Sequence, residues 1–345
     1  MEETNMAEMP EREPGLSGQE TQTETSQAPT AERVMRLADS IRDEIGKVIV
    51  GQDNTVDLML TGIFTGGHVL LEGMPGVAKT LAAKMLAKTL SVDFSRVQFT
   101  PDLMPSDVLG TMVFNMKDSE FSFKPGPVFS NVVLVDEINR SPAKTQSALF
   151  EIMEERQVSI DGTTHKMDYP FFIVATQNPI EQEGTYKLPE AQLDRFLFRI
   201  KVGYPELSEE KMILRRFRED LSGKKTHEEV RPIFNAEELK ACQEIIENIH
   251  IKDELVDYIA ELTYKTRHHP DLFLGASPRA SLAIMNSSKA TAAIRGRDFV
   301  TPDDIRFVSA PVLNHRVILT PEREMEGMEV EDVINGIIKQ IEVPR

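Results

Sequence analysis

Residues 73–80 read Gly-Met-Pro-Gly-Val-Ala-Lys-Thr, follow the apolar run Val69–Leu71 with Glu72, and lead into a helical pattern. Strand, glycine-rich loop, Lys-Thr and helix form the context that a phosphate-binding loop requires. Successive backbone N–H groups of such a loop, together with the helix N-terminus, make an anion cradle. Lys79 would reach the β- and γ-phosphates of a nucleotide, and Thr80 would place its hydroxyl on Mg²⁺. Ala78 departs from the general pattern, because that loop usually carries glycine there and a Cβ restricts the backbone. The bland alternative, a glycine-rich turn before an ordinary helix, does not explain the flanking strand and the Lys-Thr pair.

A second element supports the first. Val132–Val135 reads as a buried strand ending in Asp136 and Glu137. Acidic residues at the carboxyl end of a strand sit at the ligand edge of an open α/β sheet. Asp136 would hold Mg²⁺ through water, and Glu137 would polarise an attacking water, a task that a pure binding protein does not need. Asn178 ends a third apolar run, Phe171–Ala175, where it would orient the same water; alone, an Asn before Pro179 reads as a loop former. Arg195 precedes the run Phe198–Val202, at a place suited to a subunit edge. From there it would stabilise transition-state charge in a neighbouring site, an effect of about 10³–10⁵ in rate where such arginines are known. Its competing reading is a surface ion pair with Asp194 or Glu190. Arg279 opens a helix, where a cation opposes the helix dipole. That local cost hints at a compensating contact, with the γ-phosphate across a domain interface as the expectation.

These residues need a scaffold. Val69–Leu71, Val97–Phe99, Val132–Val135, Phe171–Ala175 and Phe198–Val202 are short apolar runs, separated by helical stretches around Lys79–Leu90 and Thr145–Arg156. Strands apolar on both faces, alternating with helices, predict an α/β fold with a parallel sheet covered on both sides. Two insertions interrupt the alternation. Phe114–Phe129 is one; Val158–Tyr169 is the other, and its Asp161-Gly162 predicts a hairpin. After Tyr204-Pro205 the strands stop. Glu209–Leu221, Ala236–Ile249, Lys252–Arg267, Pro278–Arg295 and Pro302–Leu313 read as helices, with Pro278 and Pro302 in tolerated first-turn positions. The reading is therefore an acidic disordered tail over 1–29, an α/β domain over 30–205 and a small all-helical domain over 206–345.

The chain has 345 residues, 40 % hydrophobic and 28 % charged, the composition of a soluble protein with an ordinary core. A formal net charge of −17 argues against a general nucleic-acid binder, yet a nucleotide site needs only a few local cations. No stretch approaches the roughly 20 apolar residues of a membrane span. The acidic N-terminal residues contain no apolar signal-peptide core, and a single cysteine, Cys242, suits a reducing compartment; both read as cytoplasmic. Residues 1–29 are too poor in aliphatics to offset their ordering entropy. His268-His269 lacks a third metal ligand at sensible spacing, and the arginines 215, 216 and 218 read as a solvated helix face.

Taken in order, VIVGQD (48–53), GMPGVAKT, PGPVFSNVVLVDEINRSPAKTQSALFEIMEERQVSIDG, PFFIVATQNPIEQEGTYKLPEAQLDRF and GASPRA (275–280) resemble the AAA+ ATPases, and within them the MoxR family of the helix-2-insert group. In that family the loop ending Val-Ala-Lys-Thr is usual, so Ala78 is no anomaly. The resemblance implies a P-loop NTPase αβα sandwich followed by a helical lid. It implies ATP and Mg²⁺, with nucleotide contacts at Val50, Gly51, Gly73, Met74, Pro75, Gly76, Val77, Ala78, Lys79, Thr80 and Leu81. Lys79 and Thr80 match Walker A, Asp136 and Glu137 Walker B, Asn178 sensor 1, Arg195 the arginine finger and Arg279 sensor 2. Metal contacts fall to Thr80 and Asp136. Phe114–Phe129 would lie in or near the helix-2 insert, and Val158–Tyr169 would be the pre-sensor hairpin. A homo-hexameric ring and a protein partner with a von Willebrand factor A domain are further implications. Two other readings stay open on sequence: a magnesium-chelatase-like motor subunit, and a nucleotide-gated scaffold without meaningful hydrolysis.

Overall fold

The computed structural model describes residues 30–117, 119–179, 185–219 and 228–344. The predicted tail over 1–29 and the end of the predicted helix at Leu221 lie outside them.

Five strands build the central sheet: β1 (His68–Gly73), β2 (Phe94–Gln98), β5 (Val132–Asp136), β8 (Phe172–Gln177) and β9 (Phe196–Val202). Their spatial order is β2-β5-β8-β1-β9, and all four pairings are parallel. Every residue of β1 and β5 is buried, as a sheet covered on both faces demands. Alternation decides which core each side chain joins. Val69 and Leu71 face one core with Val132, Leu134 and Val174; Leu70 faces the other with Val133, Val135, Ile173 and Ala175. A register irregularity between His68 and Val69 accompanies the turn of Phe196 and Phe198 into opposite cores.

The second core is closed by helices Pro105–Leu109 and Ala143–Glu155. The first is larger. Helices Ala31–Gly46, Asp53–Phe64 and Lys79–Thr89 cover that face, and the same core continues into helices Ala236–Glu247, Asp253–Arg267, Pro278–Ile294, Pro302–Leu313 and Val330–Gln340. The helical lid thus packs onto the α/β unit, with Ala31–Gly46 set against Pro278–Ile294. Strands do not stop entirely after Tyr204: Leu272–Leu274 (β10) and Ile318–Leu319 (β11) form a short antiparallel pair. Too short and too exposed to carry an apolar alternation, it escaped the sequence reading.

Both insertions are hairpins. Gly110–Asn115 (β3) pairs with Glu120–Pro125 (β4), and Gln157–Ile160 (β6) pairs with Thr163–Lys166 (β7). Asp161 and Gly162 have φ of 50° and 79°, the two positive angles of a type I′ turn. His165 packs at a tilt against Phe123 with ring centroids 4.2 Å apart and meets Phe129 edge-on, so the two hairpins share one aromatic cluster.

Candidate active site

The loop after β1 is shaped by its glycines. A Cβ on Gly73 would stand 2.4 Å from the Val202 carbonyl oxygen of β9, so only glycine lets the strands approach this closely. Gly76 has φ of 87°, while Ala78 has φ of 59°, a left-handed conformation that a Cβ makes costly. Helix Lys79–Thr89 begins at the next residue and directs its N-terminal amides and positive dipole end at the loop. The Lys79 Nζ donates to the Gly73 carbonyl and, at 2.8 Å, to that of Met74. Gln52 Nε2 donates to the Val77 carbonyl at 2.6 Å and ties the Val50–Gly51 segment to the loop.

The ends of β5 and β8 face this loop. Asp136 is buried, and its Oδ1 accepts from the hydroxyls of Thr80 at 3.0 Å and Thr176 at 3.1 Å. Its Oδ2 pairs with Arg96 Nε at 2.6 Å. Glu137 also stands in the left-handed region, at φ of 56°, with its N–H donating to Thr176 Oγ1. Its carboxylate accepts from Gln98 Nε2 at 2.6 Å and pairs with Arg140 at 3.1 Å. Asn178, buried, follows β8. Pro75–Leu81, Lys84, Arg96, Gln98, Asp136, Glu137 and Thr176–Asn178 line one cleft of about 510 Å³. Lys79, Lys84 and Arg96 give it local cations in a strongly acidic chain.

The donor set suits the implied ligands. A hydroxyl beside a carboxylate offers hard oxygen donors of the kind Mg²⁺ takes. A loop with an open Gly76 and a helix N-terminus offers an anion cradle, since nothing lies within 4 Å of where a Gly76 Cβ would stand.

Other expected site residues lie elsewhere. Gly73 and Met74 line a separate cavity with Glu72, Arg199 and Lys201. There Glu72, buried, is paired to Arg199 at 2.6 Å, and Arg199 meets Asn314 of the lid. Val50 and Gly51 do not line the cleft; the Glu209 carboxylate fills the place of a Gly51 Cβ. Arg195 lies just before β9, whose start is level with His68, whereas the phosphate loop follows Gly73. Five residues of parallel strand, about 16 Å, separate these two edges of the sheet. Arg195 donates to the Phe150 carbonyl and pairs with Glu154 at 3.0 Å. Arg279 is not among the residues that line the cleft of its own subunit; it pairs with the same Glu154 at 3.3 Å and with Asp194 at 3.7 Å. The reason is the helix Ala143–Glu155, which carries Glu154 back to the amino edge of the sheet, where the lid helix begins. Asp194 is further fixed by the buried Arg316 at 2.6 Å. Among the described residues, those that line the cleft all belong to the α/β unit.

Sequence reading missed Arg96, Gln98, Arg140 and Thr176. Arg96 and Gln98 are alternate residues of β2, and the pairing of Gln98 with Asp136 brings them to the acidic pair.

Comparison with known proteins agrees with this geometry. The pattern of the family described as "ATPase family associated with various cellular activities (AAA)" matches residues 68–198, and an AAA lid domain matches residues 264–337. The uncharacterised protein YeaC of Bacillus subtilis is 45 % identical over 304 residues, covering 88 % of this chain and 93 % of that protein. Chaperone MoxR1 of Mycobacterium tuberculosis is 46 % identical over 311 residues, covering 88 % and 81 %. A crystal structure of a protein from Cytophaga hutchinsonii superposes with a TM-score of 0.83 at 43 % identity and covers 91 % of this chain and 98 % of that one. With a matching ATPase core, a matching lid and near relatives over most of its length, the chain belongs to the MoxR family of AAA+ ATPases.

Proposed function

We propose that this chain hydrolyses ATP to ADP and phosphate, and that it uses the cycle to remodel or activate partner proteins as a ring of identical subunits. The observation that carries the reading is the convergence of Lys79, Thr80, Asp136, Glu137 and Asn178 on one cleft at the carboxyl edge of the sheet. Lys79 would exchange its loop carbonyls for phosphate oxygens. Held by Thr80 and, through water, by Asp136, Mg²⁺ would supply neutralising charge to the phosphates. Glu137, released from Gln98 and Arg140, would take a proton from the attacking water that Asn178 orients.

Arg195 and Arg279 sit together at the opposite edge, which suits service to a neighbour's cleft and supports a ring over a monomer, with six subunits as the family pattern. The exposed tip of the first hairpin, with Phe114, Phe121 and Met116, is a surface suited to a protein partner. The relative named Chaperone MoxR1 favours the same reading, and the partner we propose is a protein with a von Willebrand factor A domain. Among the described residues no helix is long and apolar enough to cross a membrane. A buried free Cys242, its thiol pushed up to about 11 by desolvation, suits a cytoplasmic protein.

Glu137→Gln tests the assignment. The variant should keep ATP affinity and lose turnover by about 10²–10⁴, the usual weight of a general base. Phosphate release at the wild-type rate would sink it.

A further inference from the structure

We infer that Arg96 is a built-in counter-cation for Asp136 that competes with Mg²⁺ for that carboxylate. Metal loading displaces the guanidinium, and metal release restores it. This rests on the reading of the cleft as a Mg²⁺–nucleotide site.

The two oxygens of Asp136 are divided between different kinds of partner. Oδ1 is held by two hydroxyls, those of Thr80 and Thr176, at 3.0 and 3.1 Å. Oδ2 is held by a full positive charge, Arg96 Nε, at 2.6 Å. The Asp136 side chain is only 5 % exposed, so without a cation it would be a desolvated anion facing the phosphates. The guanidinium is a fixed positive charge set directly against that carboxylate oxygen. Arg96 is itself 56 % exposed, on the edge strand β2, and can leave without opening the core. The hydroxyls of Thr80 and Thr176 keep Asp136 in place when it goes. A divalent ion beside Thr80 would repel the guanidinium and take over its neutralising task. Arg96 lines the cleft together with Lys79 and Lys84.

A purely structural role would have Arg96 orient Asp136 whether or not metal is present. The two roles separate on metal dependence. Affinity for a fluorescent ADP analogue is to be measured for the full chain in EDTA and across a Mg²⁺ series, for wild type, Arg96→Gln and Arg96→Lys. With Arg96→Gln, metal-free binding should weaken roughly tenfold, and the half-saturating Mg²⁺ concentration should fall roughly tenfold, as expected for one partly exposed ion pair with added like-charge repulsion. Arg96→Lys keeps the charge and should hold the Mg²⁺ midpoint near the wild-type value. Equal weakening by Arg96→Gln with and without Mg²⁺, or an unmoved midpoint, overturns the inference while leaving the nucleotide site intact. Wild-type protein that binds no analogue in either buffer overturns the reading of the cleft, and the inference with it.

Discussion

Ala78 carries the sharpest local conflict in the phosphate loop. Its φ of 59° is one that glycine adopts freely and alanine only at a cost. Ala78→Gly relieves that strain and loosens the unfolded chain, two effects of opposite sign. Where alanine sits at positive φ the strain is the larger, so the variant should be more stable by about 0.5–1 kcal/mol. The check is a thermal or urea melt with ATP absent; a destabilised variant would mean that the loop does not hold this angle in solution. The chemistry-bearing residues of the loop and of the acidic strand end were legible because they are contiguous and punctuated by glycine. Arg96 and Gln98 were not. Each reads as a polar residue in a half-exposed strand, and only the pairing of β2 with β5, nearly forty residues away, gives it a carboxylate.

Elements show where periodicity succeeds. β1, β5 and β8 were legible because strands buried on both faces leave unbroken apolar runs. The same property hid helix Asp53–Phe64, which is buried almost all round and so shows no polar stripe. Helix Val330–Gln340 has a clear stripe, Val333, Ile334, Ile337 and Ile338, and needed only to be counted. His68 joins three elements. Its Nδ1 accepts from the Ile173 N–H of β8 at 3.0 Å, so its Nε2 carries the proton and donates to the Met153 carbonyl at 3.1 Å. Burial pushes its pKa down from 6.5 to about 4. Between these values the unfolded chain takes up a proton that the native ring refuses. Stability from this site is therefore complete above pH 6.5 and is lost as pH falls toward 4, by roughly 3 kcal/mol in all. Burial depresses the buried His315 in the same direction. Urea midpoints should drop on going from about pH 7.5 to pH 5, and His68→Gln should flatten that slope. A wild-type midpoint that stays level would show that the ring is not kept neutral.

At the scale of the molecule the question is whose cleft Arg195 serves. Two crippled variants answer it. Glu137→Gln keeps its arginine and loses its own site; Arg195→Ala keeps its site and loses the arginine. Each alone should hydrolyse ATP slowly. Mixed at equal concentration they should recover a substantial part of the wild-type rate if arginine and site belong to different subunits, and none if they belong to one. The sequence offers a neighbour's cleft for Arg195 only as an expectation, because what Arg195 and Arg279 can serve is set by which edge of the sheet they reach. That depends on the return path of helix Ala143–Glu155 and on where the lid docks.

The carboxylate of Glu154 has a further consequence. It holds an arginine of the α/β unit and an arginine of the lid at once, and so fastens lid to sheet within one subunit. On the proposed arrangement, a nucleotide in the adjacent cleft draws both arginines away and undoes that fastening. Each subunit would then be latched beside an empty neighbour and unlatched beside a filled one. In such a ring every subunit would read a neighbour on one side only, so the latch would give the ring a sense of direction.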